Sequence, residues 1–212
     1  MLDYQKEFIA YSLDCGVLKF GEFVLKSGRT SPYFFNTGLF NTGAKLGKLG
    51  FFYTQALIQS GMKPDILYGP AYKGIPLVSA TSIAYAHMTG GDMPFAFNRK
   101  EAKDHGEGGD LVGAPLKNKV LIVDDVITAG TSVRESVDII IKAGAIPIGV
   151  LIALDRQEKA QSGLSAVQEV VECFKIPVIS IITLEHIIGY IGANATGERL
   201  DTVIKYRQLY GV

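Results

Sequence analysis

Short apolar runs rich in β-branched residues alternate along this chain with longer stretches whose apolar positions recur every three or four residues. The runs Asp65–Tyr68, Val120–Val123, Ile148–Leu154 and Val178–Ile182 have the length and make-up of buried strands. The stretches of about Leu46–Ser60, Gly74–His87, Ser132–Ala143, Ala166–Cys173 and Leu184–Ile191 have helical spacing, and Gly61 and Gly144 stand where glycines close helices. This alternation predicts an α/β fold: a mostly parallel central sheet with helices on both faces, whose ligands gather at the carboxyl ends of the strands. Residues 1 to about 40 break the rhythm and are expected to form a small N-terminal hood over the site. Asp3, Lys6, Glu7 and Asp14 interrupt the apolar positions there, so the start reads as an amphipathic helix and not as a signal peptide.

Composition narrows the class. A length of 212 residues suits one domain, 1–212, with a sizeable core. Its 21 basic and 21 acidic residues leave no net field to attract nucleic acid or a membrane surface, so any anion affinity must be local. No run approaches the roughly 18 apolar residues of a membrane span. Cys15 and Cys173 are isolated, without metal or redox spacing, which fits a reduced, cytoplasmic setting.

The candidate chemistry lies in three strand-flanking segments. In the first, the strand Val120–Val123 runs into Asp124, Asp125, Val126, Ile127, Thr128, Ala129, Gly130, Thr131 and Ser132, after which the pattern turns helical. A strand-to-helix turn presents unpaired amides and the positive end of a helix dipole, which favours a phosphate. Thr128, Thr131 and Ser132 can add hydroxyl donors, Gly130 permits close approach of the backbone, and the two carboxylates suit the vicinal hydroxyls of a sugar. The competing reading is an Asp-rich turn ending in an ordinary helix cap at Thr131 or Ser132. Neither a P-loop nor a G-x-G-x-x-G pattern occurs, which disfavours a nucleoside triphosphatase or dinucleotide site.

The second segment is Tyr68–Gly74, where Lys73 at a helix start opposes the dipole unless an anion is bound nearby. The third is the polar, glycine-ended stretch 98–110, with Arg99, Lys100, Lys103 and His105, expected to be a mobile catalytic loop. A solvated charge run is its plain alternative. His87 and His186 read as structural.

The first segment resembles the phosphoribosyl pyrophosphate motif of the type I phosphoribosyltransferases: four apolar residues, two acids, two further residues, then Thr–Ala–Gly–Thr. From end to end the chain is similar to the bacterial orotate phosphoribosyltransferase family, through Leu18–Phe23, Leu25–Gly28, Ser31–Asn36, the 98–109 stretch and Leu154–Gln157. Ser132 departs from the Ala or Thr common among relatives.

The resemblance implies a type I phosphoribosyltransferase fold and transfer of phosphoribosyl from phosphoribosyl pyrophosphate to orotate, giving orotidine monophosphate and pyrophosphate. It implies Mg²⁺ held mainly by substrate and water, with no direct protein ligand. A homodimer whose lid, with Lys103, Arg99 and His105, closes on the neighbouring subunit's site is also implied. Phosphoribosyl pyrophosphate would meet Lys26, Tyr72, Lys73, Arg99, Lys100, Lys103, His105 and all of Asp124–Ser132. Orotate would meet Lys26, Phe34, Phe35, Thr128 and Arg156. The catalytic set would be Lys103, Asp124, Asp125, Arg99 and His105, and a non-proline cis peptide is expected at Ala71–Tyr72. Phe34 and Phe35 are expected to offer apolar faces against which the base packs, and Arg156 to offer a fork that uracil would leave unpaired. A purine phosphoribosyltransferase and a non-catalytic phosphoribosyl pyrophosphate-binding regulator are the alternatives.

Overall fold

Every residue of Val120–Val123 is buried, and so is Val150–Leu154 beside it, because strands covered by helices on both faces have no solvent side. The computed structural model describes residues 1–25, 28–103, 109–194 and 197–212, of which 101–103 and 109 by their backbone alone. Helix α1 (Asp3–Asp14) precedes a hairpin of β1 (Leu18–Val24) and β2 (Thr30–Phe35), then a single 3-10 turn (Thr37–Leu39). There follow α2 (Gly43–Ser60), β3 (Ile66–Gly69), α3 (Gly74–Thr89), β4 (Phe95–Lys103), β5 (Gly109–Gly113), β6 (Lys119–Val123) and α4 (Thr131–Lys142). The chain continues through β7 (Ile146–Asp155), α5 (Ala166–Phe174), β8 (Val178–Thr183), α6 (Leu184–Asn194) and α7 (Glu198–Tyr210).

Six strands form the main sheet in the order β5-β4-β3-β6-β7-β8, parallel throughout except for the β4–β5 pair. Side chains alternate across it. Leu67, Leu121, Val123, Leu151 and Ala153 pack with α1, α2, α3, α6 and α7, whereas Ile66, Tyr68, Val120, Ile122 and Ile152 pack with α4 and α5. The expected mostly parallel α/β sheet is thus present, and the five expected helices each lie within one or a few residues of their bounds. Gly61 closes α2 at φ 70° and Gly144 follows α4 at φ 79°.

The order has one functional consequence. From β3 the chain crosses through α3 to β4 on one side; from β6 it crosses through α4 to β7 on the other. The loops after β3 and β6 therefore leave opposite faces of the sheet and open a crevice between them, the topological switch point at which such sheets bind ligands.

Three regions differ from the sequence reading. Asn98–Lys103 and Gly109–Gly113 belong to strands and not to a loop, forming an antiparallel pair at the sheet edge. An edge strand needs no apolar run, so its polar residues concealed it. Helix α7 seats Leu200, Val203, Tyr206 and Tyr210 on the core, but only Val203 and Tyr206 are buried and Leu209 on its outer side is exposed, so its apolar face is weakly marked. The start of the chain is also more than a cover: Phe8 and Ile9 of α1 sit fully buried in the main core beside Leu49 and Phe52.

Candidate active site

Asp124 and Asp125 follow β6 directly at the crevice floor, and both are nearly buried. Their backbone is held from two sides. The buried Tyr53 hydroxyl donates to the Asp124 carbonyl at 2.8 Å, and Ala153 N–H donates to the Asp125 carbonyl at 2.9 Å. Asp124 accepts from Asp125 N–H through Oδ1 and from the Ser132 hydroxyl through Oδ2, each at 2.9 Å. Burial nevertheless dominates, and with the neighbouring Asp125 charge it raises Asp124 from 3.8 to about 6 against the pull of those hydrogen bonds. Asp125 Oδ1 accepts from Val126 N–H at 2.8 Å, while Oδ2 takes the Thr37 hydroxyl at 3.1 Å and Lys73 Nζ at 2.6 Å.

The turn beyond them leaves backbone amides open at the head of α4. Gly130 is the N-cap of α4 at φ 69° with no side-chain cap, so the capped turn of the competing reading is absent at this helix. Arg134 N–H is the first to bond within the helix, to Gly130 O at 3.0 Å, which leaves the amides of Thr131, Ser132 and Val133 ahead of it. Thr128, Ala129 and Thr131 are exposed, whereas Ile127 is buried in the second core cluster and Val126 packs on the first. Ile127 and Val126 thus anchor the turn by their side chains. Ser132 differs from expectation: its hydroxyl turns back to the buried Asp124 instead of lining the turn, because that carboxylate lacks water.

Across the crevice, Lys73 ends the loop after β3 as N-cap of α3, and the anion beside it is Asp125. The loop holds the cis peptide Ala71–Tyr72. Asn98 of β4 accepts from Ala71 N–H at 2.8 Å through its side-chain carbonyl, and Lys100 Nζ lies 5.9 Å from the exposed Tyr72 ring. Arg99 stands half-buried between them in sequence. A cleft of about 420 Å³ adjoins Lys73, walled by Thr37, Phe40, Leu46 and Leu77.

The base end is less as expected. Successive strand residues point to opposite faces. Ser31, Tyr33 and Phe35 therefore share the inner face of β2, with Phe35 edge-on to Phe8 at 6.3 Å, while Phe34 points outward and stacks on Phe23 at 5.4 Å. The two rings do not share one face against which a base could pack. Phe34 pairs with Lys19 and Phe35 with Leu18, and Asn36 N–H bonds Val17 O at 2.9 Å, so Phe34's main chain faces β1 and Phe35's faces the free edge. Nor is Arg156 unpaired. Its Nε donates to Glu158 Oε1 at 2.9 Å, its Nη2 makes an ion-pair contact with the same oxygen at 2.6 Å and donates to the Ser31 hydroxyl at 3.2 Å, and the guanidinium lies 4.4 Å over the Tyr33 ring. The carboxylate of a neighbouring residue outcompetes solvent for a half-buried cation.

Lys26 and His105 lie outside the described residues, as does the Lys103 side chain. Among the described residues no cluster of three or more His, Cys, Asp or Glu could hold a metal ion. Thr37, Tyr53 and Glu158 join the site without having been expected there, and Asn98, which opens the singled-out stretch 98–110, holds Ala71 N–H, a role not foreseen for it. Of the first three, only Glu158 left a sequence signal, two residues after Arg156.

A turn with open amides after one strand and a lysine-bearing loop after its neighbour, facing each other over two carboxylates at the switch point, are the arrangement expected of a type I phosphoribosyltransferase. The phosphoribosyl transferase domain family matches residues 45–186. The chain is 63% identical to the orotate phosphoribosyltransferase of Methylococcus capsulatus, covering all of this chain and 99% of that one. It is 56% identical to that of Pseudomonas aeruginosa over the full length of both. The crystal structure of the Francisella tularensis orotate phosphoribosyltransferase matches with a TM-score of 0.90 at 48% identity, covering 97% of this chain and 100% of that one. The chain belongs to the phosphoribosyltransferase family, among its orotate phosphoribosyltransferases.

Proposed function

We propose that this chain transfers the phosphoribosyl group of phosphoribosyl pyrophosphate to orotate, yielding orotidine monophosphate and pyrophosphate on the route to UMP, as a single domain under its hood. The observation that carries the reading is the buried Asp124–Asp125 pair set between the Gly130 turn and Lys73. The 5-phosphate takes the amides and hydroxyls of Thr128–Thr131. The ribose hydroxyls take Asp125, and the pyrophosphate takes Lys73, Tyr72 and Lys100. Lys73 is 63% exposed at its side chain, so its ion pair with Asp125 is readily exchanged. On binding, each partner gives up the other for a substrate group: a diphosphate oxygen for the lysine, vicinal hydroxyls for the carboxylate.

As the bond at the anomeric carbon breaks, negative charge grows on pyrophosphate and positive charge on the ribosyl group. Fixed cations on one side and fixed carboxylates on the other stabilise that separation without reorganising. Mg²⁺ would supply further neutralisation of the diphosphate. The oxygens of Asp124 and Asp125 are already taken by protein donors, which suits a metal held by substrate and water and met by these carboxylates at second hand. Orotate is placed along the free edge of β2, with Phe35's main chain, Thr128 and the Nη1 side of Arg156 around it.

The lid residues Arg99, Lys103 and His105 are assigned to the pyrophosphate of the neighbouring subunit's site, and Lys26 to the positive charge beside both substrates. A homodimer is supported by the exposed apolar positions Pro76 and Ile83 along α3, continuous with exposed Tyr72. We place the protein in the cytoplasm, in keeping with two unpaired cysteines; among the described residues no helix is long and apolar enough to cross a membrane. A turnover assay with orotate, hypoxanthine and adenine, with and without Mg²⁺, tests the reading. Turnover with orotate alone, dependent on the metal, is expected. Turnover with a purine base would overturn the assignment of the base site, and binding of phosphoribosyl pyrophosphate without turnover of any base would make the chain a regulator.

A further inference from the structure

Arg156, assigned to the base, has a side chain already locked in place. A single oxygen of Glu158 takes its Nε at 2.9 Å and Nη2 at 2.6 Å, and also the Tyr33 hydroxyl at 3.2 Å. The ion pair is largely shielded, with side-chain exposures of 17% for Arg156 and 14% for Glu158. Glu158 is pinned in turn. Its main chain pairs with Gly211, Lys159 N–H donates to Tyr210 O at 2.7 Å, and Val212 N–H donates to Gln157 O at 3.0 Å. The buried Tyr206 hydroxyl, without a hydrogen bond of its own, faces Ser31 and Glu158. Arg156 is thus fixed by β2, by the segment after β7 and by α7 together. With the Nε and Nη2 positions occupied, the Nη1 N–H groups are left for a ligand.

We propose that Glu158 is a positioning residue that sets which edge of Arg156 faces the base, and thereby selects pyrimidines carrying a carboxylate. The proposal rests on the reading that Arg156 meets that carboxylate. A free arginine would lose several rotatable bonds' worth of freedom on binding; Glu158 has removed that loss beforehand. It does so at an electrostatic cost, since its charge opposes a second carboxylate near the same cation. Geometry and charge are separable. Glu158→Gln keeps an acceptor for Arg156 and Tyr33 and removes the charge, whereas Glu158→Ala removes both.

The measurement is the ratio of affinities for orotidine monophosphate and uridine monophosphate, which differ only in the carboxylate, by titration calorimetry on the full chain. Glu158→Ala is expected to lower that ratio at least fivefold through weaker orotidine monophosphate binding, with uridine monophosphate affinity kept. Glu158→Gln is expected to hold the ratio at or above that of the unsubstituted protein. A general loosening of the structure would weaken both nucleotides alike and would overturn the proposal. So would a Glu158→Ala ratio that stays unchanged while Arg156→Ala collapses it. If Arg156→Ala itself leaves the ratio intact, the Arg156 reading fails first and takes the proposal with it. Tyr33→Phe, which removes only the third donor to Glu158, is expected to lower the ratio about twofold; should Glu158→Ala not fold, an unchanged ratio in Tyr33→Phe and a lowered one in Glu158→Gln would overturn the proposal.

Discussion

Replacing Asp124 by Asn is expected to make the protein more stable and less active at once. Burial and the adjacent Asp125 raise the Asp124 carboxyl from 3.8 to about 6. Between those two values the folded chain binds more protons than the unfolded chain, so stability falls as pH rises through that window and stays lowered above it. At about 1.36 kcal/mol per pH unit, the gap amounts to about 3 kcal/mol of destabilisation at pH 8. An amide at this position carries no charge to desolvate. It keeps a carbonyl for Asp125 N–H and can donate to the Ser132 oxygen in place of accepting from it, which limits the lost hydrogen bonding to about 1 kcal/mol. The net gain is then about 2 kcal/mol, or a rise in melting temperature of about 4–8 °C for a chain of this size.

The assay is thermal unfolding of both proteins at one protein concentration, at pH 8 and at pH 4, where most of the wild-type carboxyl is already neutral and the difference should shrink to near zero. Turnover should fall about a hundredfold, the usual scale for removing one preorganised group from the transition state. A variant that melts below the unsubstituted protein at pH 8, or a stabilisation equal at both pH values, would refute the reasoning.

Gly69→Ala places a methyl group 2.3 Å from the Gly74 carbonyl oxygen and 2.8 Å from Val78 Cβ. It should cost about 1–3 kcal/mol in denaturant unfolding and raise the KM for phosphoribosyl pyrophosphate as the Lys73 loop is pushed outward; normal values of both would mean that the loop has slack. Thr37→Val removes the 3.1 Å hydrogen bond to Asp125 and should lower stability by about 1 kcal/mol, with a matching rise in that KM and little change in the KM for orotate. Mixing inactive Lys103→Ala and Asp125→Asn subunits should restore activity in the hybrid dimer, one of whose sites lacks both defects. No recovery in demonstrated heterodimers would assign the lid to its own subunit's site.

The parts of this protein that sequence made legible are those whose cause is local. Val120–Val123 is apolar because both of its faces are covered, Gly130 is a glycine where the chain turns left-handed at the head of α4, and both facts lie within eleven residues. The β4–β5 pair escaped because an edge needs no apolar signature, and α7 because its core-facing residues are few and exposed Leu209 blurs their spacing. Contacts between distant residues were the least legible. Tyr33 meets Glu158 across 125 positions and Thr37 meets Asp125 across 88.

Those long-range contacts also change what the site is. From residue types alone, Arg156, Lys73 and Asp125 read as groups awaiting a ligand, whereas the folded chain pairs each with another of its own residues. A buried carboxylate or guanidinium left bare would lose several kcal/mol of solvation, so the fold satisfies it internally. Substrate must then compete with these partners, and the gain from each contact is the difference between two hydrogen-bonded states. The two pairs differ in a way that matches their tasks. Lys73 is exposed enough to exchange Asp125 for pyrophosphate within a catalytic cycle, while the Arg156–Glu158 pair is buried enough to persist and to present one fixed edge to successive bases.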